Sequence, residues 1–152
     1  MVKYSEWETS VPQHTREDPI WRWTVYRLAR FAGAIAWADV SKLNKDRRTQ
    51  RVADQLYRSI GSIAVNLSEG YSRSSGADRS RFFEYALGSA REAREWYYLG
   101  EPLLGDEVVT HRVDILNQII RLLVTMLPDQ RKLQLKEDPA LYNPTIDPST
   151  NF

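Results

Sequence analysis

The chain has no cysteine, and only two of its 152 residues are histidines and two are methionines. The first absence removes disulfides, thiolate metal sites and cysteine nucleophiles together, and it suits a reducing cytoplasm. His14 and His111 are the only imidazoles available as bases or ligands, and neither has the Glu-x-x-His spacing used by di-metal helical bundles. A surface histidine is the ordinary reading of each, a ligand the rarer one. No metal and no cofactor is expected. Glycine forms no phosphate-cradling run, because Gly33, Gly61 and Gly88 stand singly within helical stretches. There they are expected to let helices approach closely, each costing up to ~1 kcal/mol of propensity relative to alanine. Long apolar runs are missing as well. The longest, Phe31 to Ala38, is far too short to cross a bilayer, and the N-terminus holds no apolar signal core. The protein is expected to stay in the cytoplasm, off the membrane.

What is present fits one small helical domain. Hydrophobic residues make up 42% and charged residues 27%, an ordinary globular balance that excludes wholesale disorder. A chain of this length buries roughly two-thirds of its unfolded surface and needs no second core. Four stretches carry helical period. The clearest, from about Asp106 to Lys136, repeats Val109, Val113, Leu116, Ile120, Leu123 and Leu127 at steps of three and four. Val52, Leu56, Ile60, Ile63 and Leu67 form a second stripe, and Phe83, Ala86, Ala90, Ala93 and Tyr97 a third with smaller side chains. The first helix, Pro19 to Leu43, turns Trp21, Val25, Leu28, Ala32 and Ile35 inward.

The breaks have recognisable chemistry. Asn44-Lys45-Asp46 ends the first helix, Gly70 offers a left-handed residue after the second, and Ser75-Gly76 with Asp78 caps the third. Gly100 to Asp106 is expected to separate the third helix from the fourth, and Pro128 to kink or restart the fourth. Connections this short favour antiparallel neighbours. The expectation is an all-α, up-down-up-down four-helix bundle over residues 19–136. An N-terminal extension (1–18) and a proline-containing C-terminal tail (137–152) flank it, and neither has enough apolar period for a core. Both read as flexible or surface-draped. The alternative for the C-terminal tail is that Leu141, Tyr142, Ile146 and Phe152 anchor it on a neighbouring subunit.

One segment is more distinctive than its helical period. From Gln55-Leu56 and Arg58, through Ser62-Ile63, Asn66, Glu69-Gly70 and Arg73, to Arg81-Phe82, Ala86, Gly88-Ser89 and Glu92, the chain resembles a bacterial four-helix-bundle family. The founding members of that family are encoded in intervening sequences of 23S rRNA genes. Where that pattern has a proline after its Ser-Ile pair, this chain has Ala64. The resemblance implies a cyclic homo-oligomer, most often a pentamer. It also implies kinship with accessory variability determinant proteins of diversity-generating retroelements, which bind a reverse transcriptase and nucleic acid. Trp21, Trp23, Phe31 and Trp37 leave the first helix apolar on more than one side, so some of them are expected at the subunit interface. Asn66 and Glu69 share one helix face. They are expected to satisfy donors where the second helix ends, with Arg81 or Ser89 as partner, and a substrate pocket is the minority alternative.

Charge is nearly balanced overall, 21 basic against 20 acidic residues, but unevenly placed. Residues 1–18 and 133–152 each carry a net −2, which leaves the bundle at +5. Lys42, Lys45, Arg47, Arg48 and Arg51 gather at the first turn-around, and Arg73, Arg79 and Arg81 at the start of the third helix. In an antiparallel bundle those turns lie at opposite ends. A solvated face is the default for such runs, and phosphate binding is its competitor. The functional expectation is a non-enzymatic oligomeric scaffold for RNA or DNA, with a reverse transcriptase as possible protein partner. The alternatives are an assembly module without nucleic-acid affinity and, furthest behind, an enzyme using the Asn66/Glu69 face.

Overall fold

The computed structural model describes residues 2–132, and every regular element among them is helical. Two short helices, α1 (Tyr4–Ser10) and α2 (Gln13–Arg16), lead into a 3-10 turn (Pro19–Arg22). Four long helices follow: α3 (Thr24–Leu43), α4 (Gln50–Tyr71), α5 (Gly76–Leu104) and α6 (Asp106–Lys132). Cross-helix contacts fix their directions. Trp23 meets Tyr71 and Trp37 meets Tyr57, so α3 and α4 run antiparallel. Arg94 reaches Asn117 and Arg131 reaches Glu84, so α5 and α6 do too.

The stripes read from the sequence form this core. Leu56, Ile60, Ile63 and Leu67 of α4 and Leu116 and Leu123 of α6 are buried, with Ile119 beside them, while Ile120, Leu28 and Val52 are only half-buried. The alanines have a clear use. Ala29, Ala32 and Ala36 of α3 and Ala86, Ala90 and Ala93 of α5 let those two helices approach across the core, and α4 and α6 supply the larger side chains.

Several boundaries differ from expectation. The first helix starts at Thr24: Asp18 accepts the Ile20 amide at 3.0 Å and holds a separate 3-10 turn. Trp23 is extended there, and its ring packs against Tyr71 and Phe83. At the other side Ser75 caps α5 as expected, accepting the Asp78 amide at 3.1 Å. Gly100 to Asp106 is not a loop. The α5 helix continues through Pro102 and buries Leu104, leaving Gly105 alone, at φ 93°, to turn the chain into α6. Likewise α6 runs through Pro128 as one helix.

Gly70 lies inside α4 and is not a left-handed terminator. A Cβ there would fall 2.6 Å from the Phe83 ring, so the residue is needed for close packing of α4 on α5. Gly61 and Gly88 have no such reason, since a Cβ at either meets nothing within 4 Å.

The N-terminal extension is the largest departure. Tyr4 meets Phe31 edge to face and Trp7 meets it at a tilt, at 5.4 and 5.3 Å between ring centroids, Trp7 also meets Trp21, and Val11 is buried. Arg27 pairs with Glu8 at 3.1 Å. Residues 2–18 therefore extend the core where they were expected only to drape it. The C-terminal tail, with Leu141, Tyr142, Ile146 and Phe152, lies outside the described residues.

Candidate functional site

The two basic clusters do lie at opposite ends. Lys42 reaches the Leu104 carbonyl at 3.5 Å, at the α3–α4 turn, whereas Arg79 reaches Gln130, near the end of α6. They are not equivalent. Arg48 is held by Asp46 through its Nε and Nη2 atoms, at 2.6 Å for the shortest contact. These hydrogen bonds lower the half-buried Asp46 carboxyl to about 2. Lys45, Arg47 and Arg51 are exposed and make no ion pair with the described residues. Arg58, two turns further along α4, is exposed and equally uncommitted, and charge-run reasoning missed it because it stands alone in sequence.

At the other end the expectation narrows. Arg79 is 3% exposed, donates to the carbonyls of Tyr71 at 2.7 Å and Arg73 at 3.4 Å, and lies over the Trp23 and Tyr71 rings. It locks the α4–α5 turn and is not open to a phosphate. Arg73 and Arg81 remain exposed, pairing loosely with Glu69 and Asp78 at 3.5 Å each.

The motif residues do not form a pocket. Asn66 donates to the Ser62 carbonyl at 2.8 Å and to its hydroxyl at 3.0 Å, one turn back on its own helix. Glu69 is exposed and faces Arg73, so the buried carboxylate paired with Arg81 or Ser89 is not found. Glu92 is exposed and accepts from the Trp96 indole at 3.1 Å, and Gly88 and Ser89 lie exposed and half-buried beside it. Leu56, Ile63 and Ala86 of the motif segment belong to the core, and among Asn66, Glu69, Gly70, Gly88, Ser89 and Glu92 only Gly70 is buried with them.

The aromatic expectation is corrected as well. Trp21 and Phe31 are 7% and 2% exposed, because α1 covers them, and Trp23 is spent on Tyr71 and Phe83. Of the four residues expected at an interface, only Trp37, 63% exposed, is open.

A buried polar network escaped the sequence reading. Arg112 binds Asp39 through Nε at 2.7 Å and Nη2 at 3.2 Å, and the Tyr97 hydroxyl donates to the same carboxylate at 2.9 Å. Burial, then the Asp39 charge, pushes the Tyr97 hydroxyl upward, so it stays a donor. The signal was available: Asp39 and Arg112 stand on apolar stripes, four residues after Ile35 and three after Val109. Arg112 also contacts Nδ1 of His111 at 2.7 Å. Beside an arginine donor that nitrogen accepts, which places the neutral ring's proton on Nε2.

His111 lines a recess of about 480 Å³ with Tyr4, Glu8 and Arg27. Burial and the Glu8 hydrogen bond push the Tyr4 hydroxyl up to about 12, and burial followed by Arg112 holds His111 below its ordinary value. The recess thus offers a protonated phenol, a paired carboxylate and a neutral imidazole. Among the described residues no cluster of histidine, aspartate or glutamate could hold a metal ion, and no helix is long and apolar enough to cross a membrane.

Comparison with curated proteins and with solved structures returned no match. The family model for the 23S rRNA-intervening sequence protein matches residues 24–125, from the start of α3 to near the end of α6, well over half of the chain. The helices that build the core and the motif face are those the family model spans, and the chain belongs to the 23S rRNA-intervening sequence protein family.

Proposed function

We propose that this protein is a non-enzymatic scaffold, an up-down-up-down four-helix bundle that assembles into a cyclic homo-oligomer, most often a pentamer, and binds RNA or DNA through the phosphate backbone. The observation that carries the reading is the set of exposed cations at the α3–α4 turn and along α4 that make no ion pair among the described residues: Lys45, Arg47, Arg51 and Arg58. Such cations neutralise phosphates and carry no base code, so selectivity for sequence is expected to be low. Repetition around a ring adds avidity to contacts that are individually weak. A reverse transcriptase is the protein partner proposed with it, on the retroelement kinship described above.

The competing reading is an assembly module of the same family without affinity for nucleic acid, and the nearly balanced total charge favours it. A fluorescence anisotropy titration with structured RNA and single-stranded DNA separates the two. Reversal of Lys45, Arg47 and Arg51 to glutamate should abolish binding while leaving helicity and oligomer mass unchanged. Equal binding by this variant would move the interface elsewhere, with Arg73 and Arg81 next in line.

A further inference from the structure

Two complementary surfaces remain open after the core is built. The first is a ridge on α5. Phe82, Tyr85, Ser89, Glu92, Trp96 and Leu99 follow one another at steps of three and four, the spacing of a helix–helix seam. The neighbouring stripe from Phe83 to Tyr97 is already buried in the core, so α5 carries two seams and uses one within the subunit. Tyr85 and Leu99 are 53% and 60% exposed. The second surface is a groove of about 410 Å³ lined by Gly33 and Ala34 of α3, by Tyr57, Gly61 and Ala64 of α4, and by Trp7 and residues 10–12 before α3. A separate, smaller recess lined by Trp37, Val40 and Ala53 lies further along α3 and shares Tyr57 with it.

The charges match. With Glu92 opposite Arg30, the part of the ridge from Glu92 back to Phe82, about 15 Å at 1.5 Å per residue, runs along α3 from Arg30 to Ser41, about 16.5 Å. Arg30 lines the groove, and its one side-chain hydrogen bond among the described residues is to the Tyr26 hydroxyl at 3.2 Å, with no carboxylate beside it. Glu92, at the middle of the ridge, accepts from Trp96 and meets no cation among the described residues. Gly61 and Gly88, for which the subunit itself gives no packing reason, lie in the groove and beside the ridge. A helix floor without side chains is what an incoming helix needs for close approach.

We infer that the α5 ridge of one copy seats in the α3–α4 groove of the next, with Glu92 of the ridge meeting Arg30 of the groove. The inference rests on the proposed oligomer and supplies its contact. Because the two surfaces differ, the contact is head-to-tail, and repetition closes a ring or continues as a filament; a self-complementary dimer does not arise. The interface thus moves away from Trp21, Trp23 and Phe31, which the subunit spends on itself, and keeps Trp37, which lines the neighbouring recess.

The test uses two full-length variants and light scattering. Tyr85→Glu with Leu99→Glu breaks the ridge; Gly61→Glu blocks the groove, at a position where a side chain has open space. Each variant alone should be a folded monomer, with helical circular dichroism intact. Mixed one to one, they should form a two-chain species, because one retains a working groove and the other a working ridge. Exchange of Arg30→Glu and Glu92→Arg in one chain should restore assembly that either change alone weakens. A ridge variant that keeps the wild-type mass would overturn the inference, and if it lost RNA binding instead, the ridge would be a nucleic-acid surface. A mixture that stays monomeric would also overturn it. A wild type that is itself monomeric would sink the oligomer reading, a separate outcome.

Discussion

Asp39 and Arg112 are the residues on which the account of the core is most exposed to test. Each is buried and each satisfies the other, so removal of one partner leaves an uncompensated charge among apolar side chains. Arg112→Met is expected to lower the unfolding free energy by about 3 to 5 kcal/mol, and Tyr97→Phe by about 1 kcal/mol, in denaturant melts. Equal, small losses would show that water reaches the pair. His111 gives a pH signature with a definite sign. Its folded value lies below the ordinary one, through burial first and then Arg112, so the unfolded chain binds the proton more readily. Stability is therefore fully present above about pH 6.5 and falls as the pH drops from there towards the lowered folded value. Thermal melts between about pH 7 and pH 5 should show a slope that His111→Asn removes. Gly70 makes a third point at this scale. Gly70→Ala forces a Cβ onto Phe83 and should cost about 1 to 3 kcal/mol by overpacking, even though alanine is the better helix former.

At the scale of elements, the long helices were legible because each repeats apolar residues at three and four, and Ser75 marked the start of α5 as its cap. Phe83, Ala86, Ala90, Ala93 and Tyr97 went to the core as a set. What failed were judgements about interruption. Pro102 and Pro128 sit within continuous helices, because tertiary packing of residues such as Leu104 and Leu127 outweighs one lost amide. The α1 helix was missed although Tyr4, Trp7 and Val11 stand at steps of three and four, since the acidic residues among them read as a solvated end. Its removal has a consequence that can be measured. A variant lacking residues 2–18 should expose Phe31 and Trp21 and melt at lower temperature than the full chain, with increased binding of an apolar dye. Unchanged melting would mean that α1 only rests on the surface.

For the whole molecule, the sequence led to the family and the all-α class through one motif segment, but the motif's role was not legible in it. A three-residue spacing places Asn66 and Glu69 on one face without saying whether that face looks inward. The structure turns it outward, which removes the expected buried carboxylate and leaves a surface where one helix was to be tied to another. Charge runs were a similarly blunt guide. Arg79 and Arg48 counted towards basic clusters, yet one is buried over aromatic rings and the other is bound by Asp46. The remaining exposed cations define the functional claim, and its quantity is a salt slope. Each neutralised phosphate releases condensed counterions, so affinity should fall by orders of magnitude between ~50 and ~200 mM salt if several cations per oligomer engage. The most direct measurement is that titration, by anisotropy, of the wild-type protein with structured RNA and with single-stranded DNA. Binding at the lower salt is expected to be nearly independent of sequence and steeply lost at the higher; no binding at the lower salt, or binding indifferent to salt, would rule out phosphate recognition by these cations.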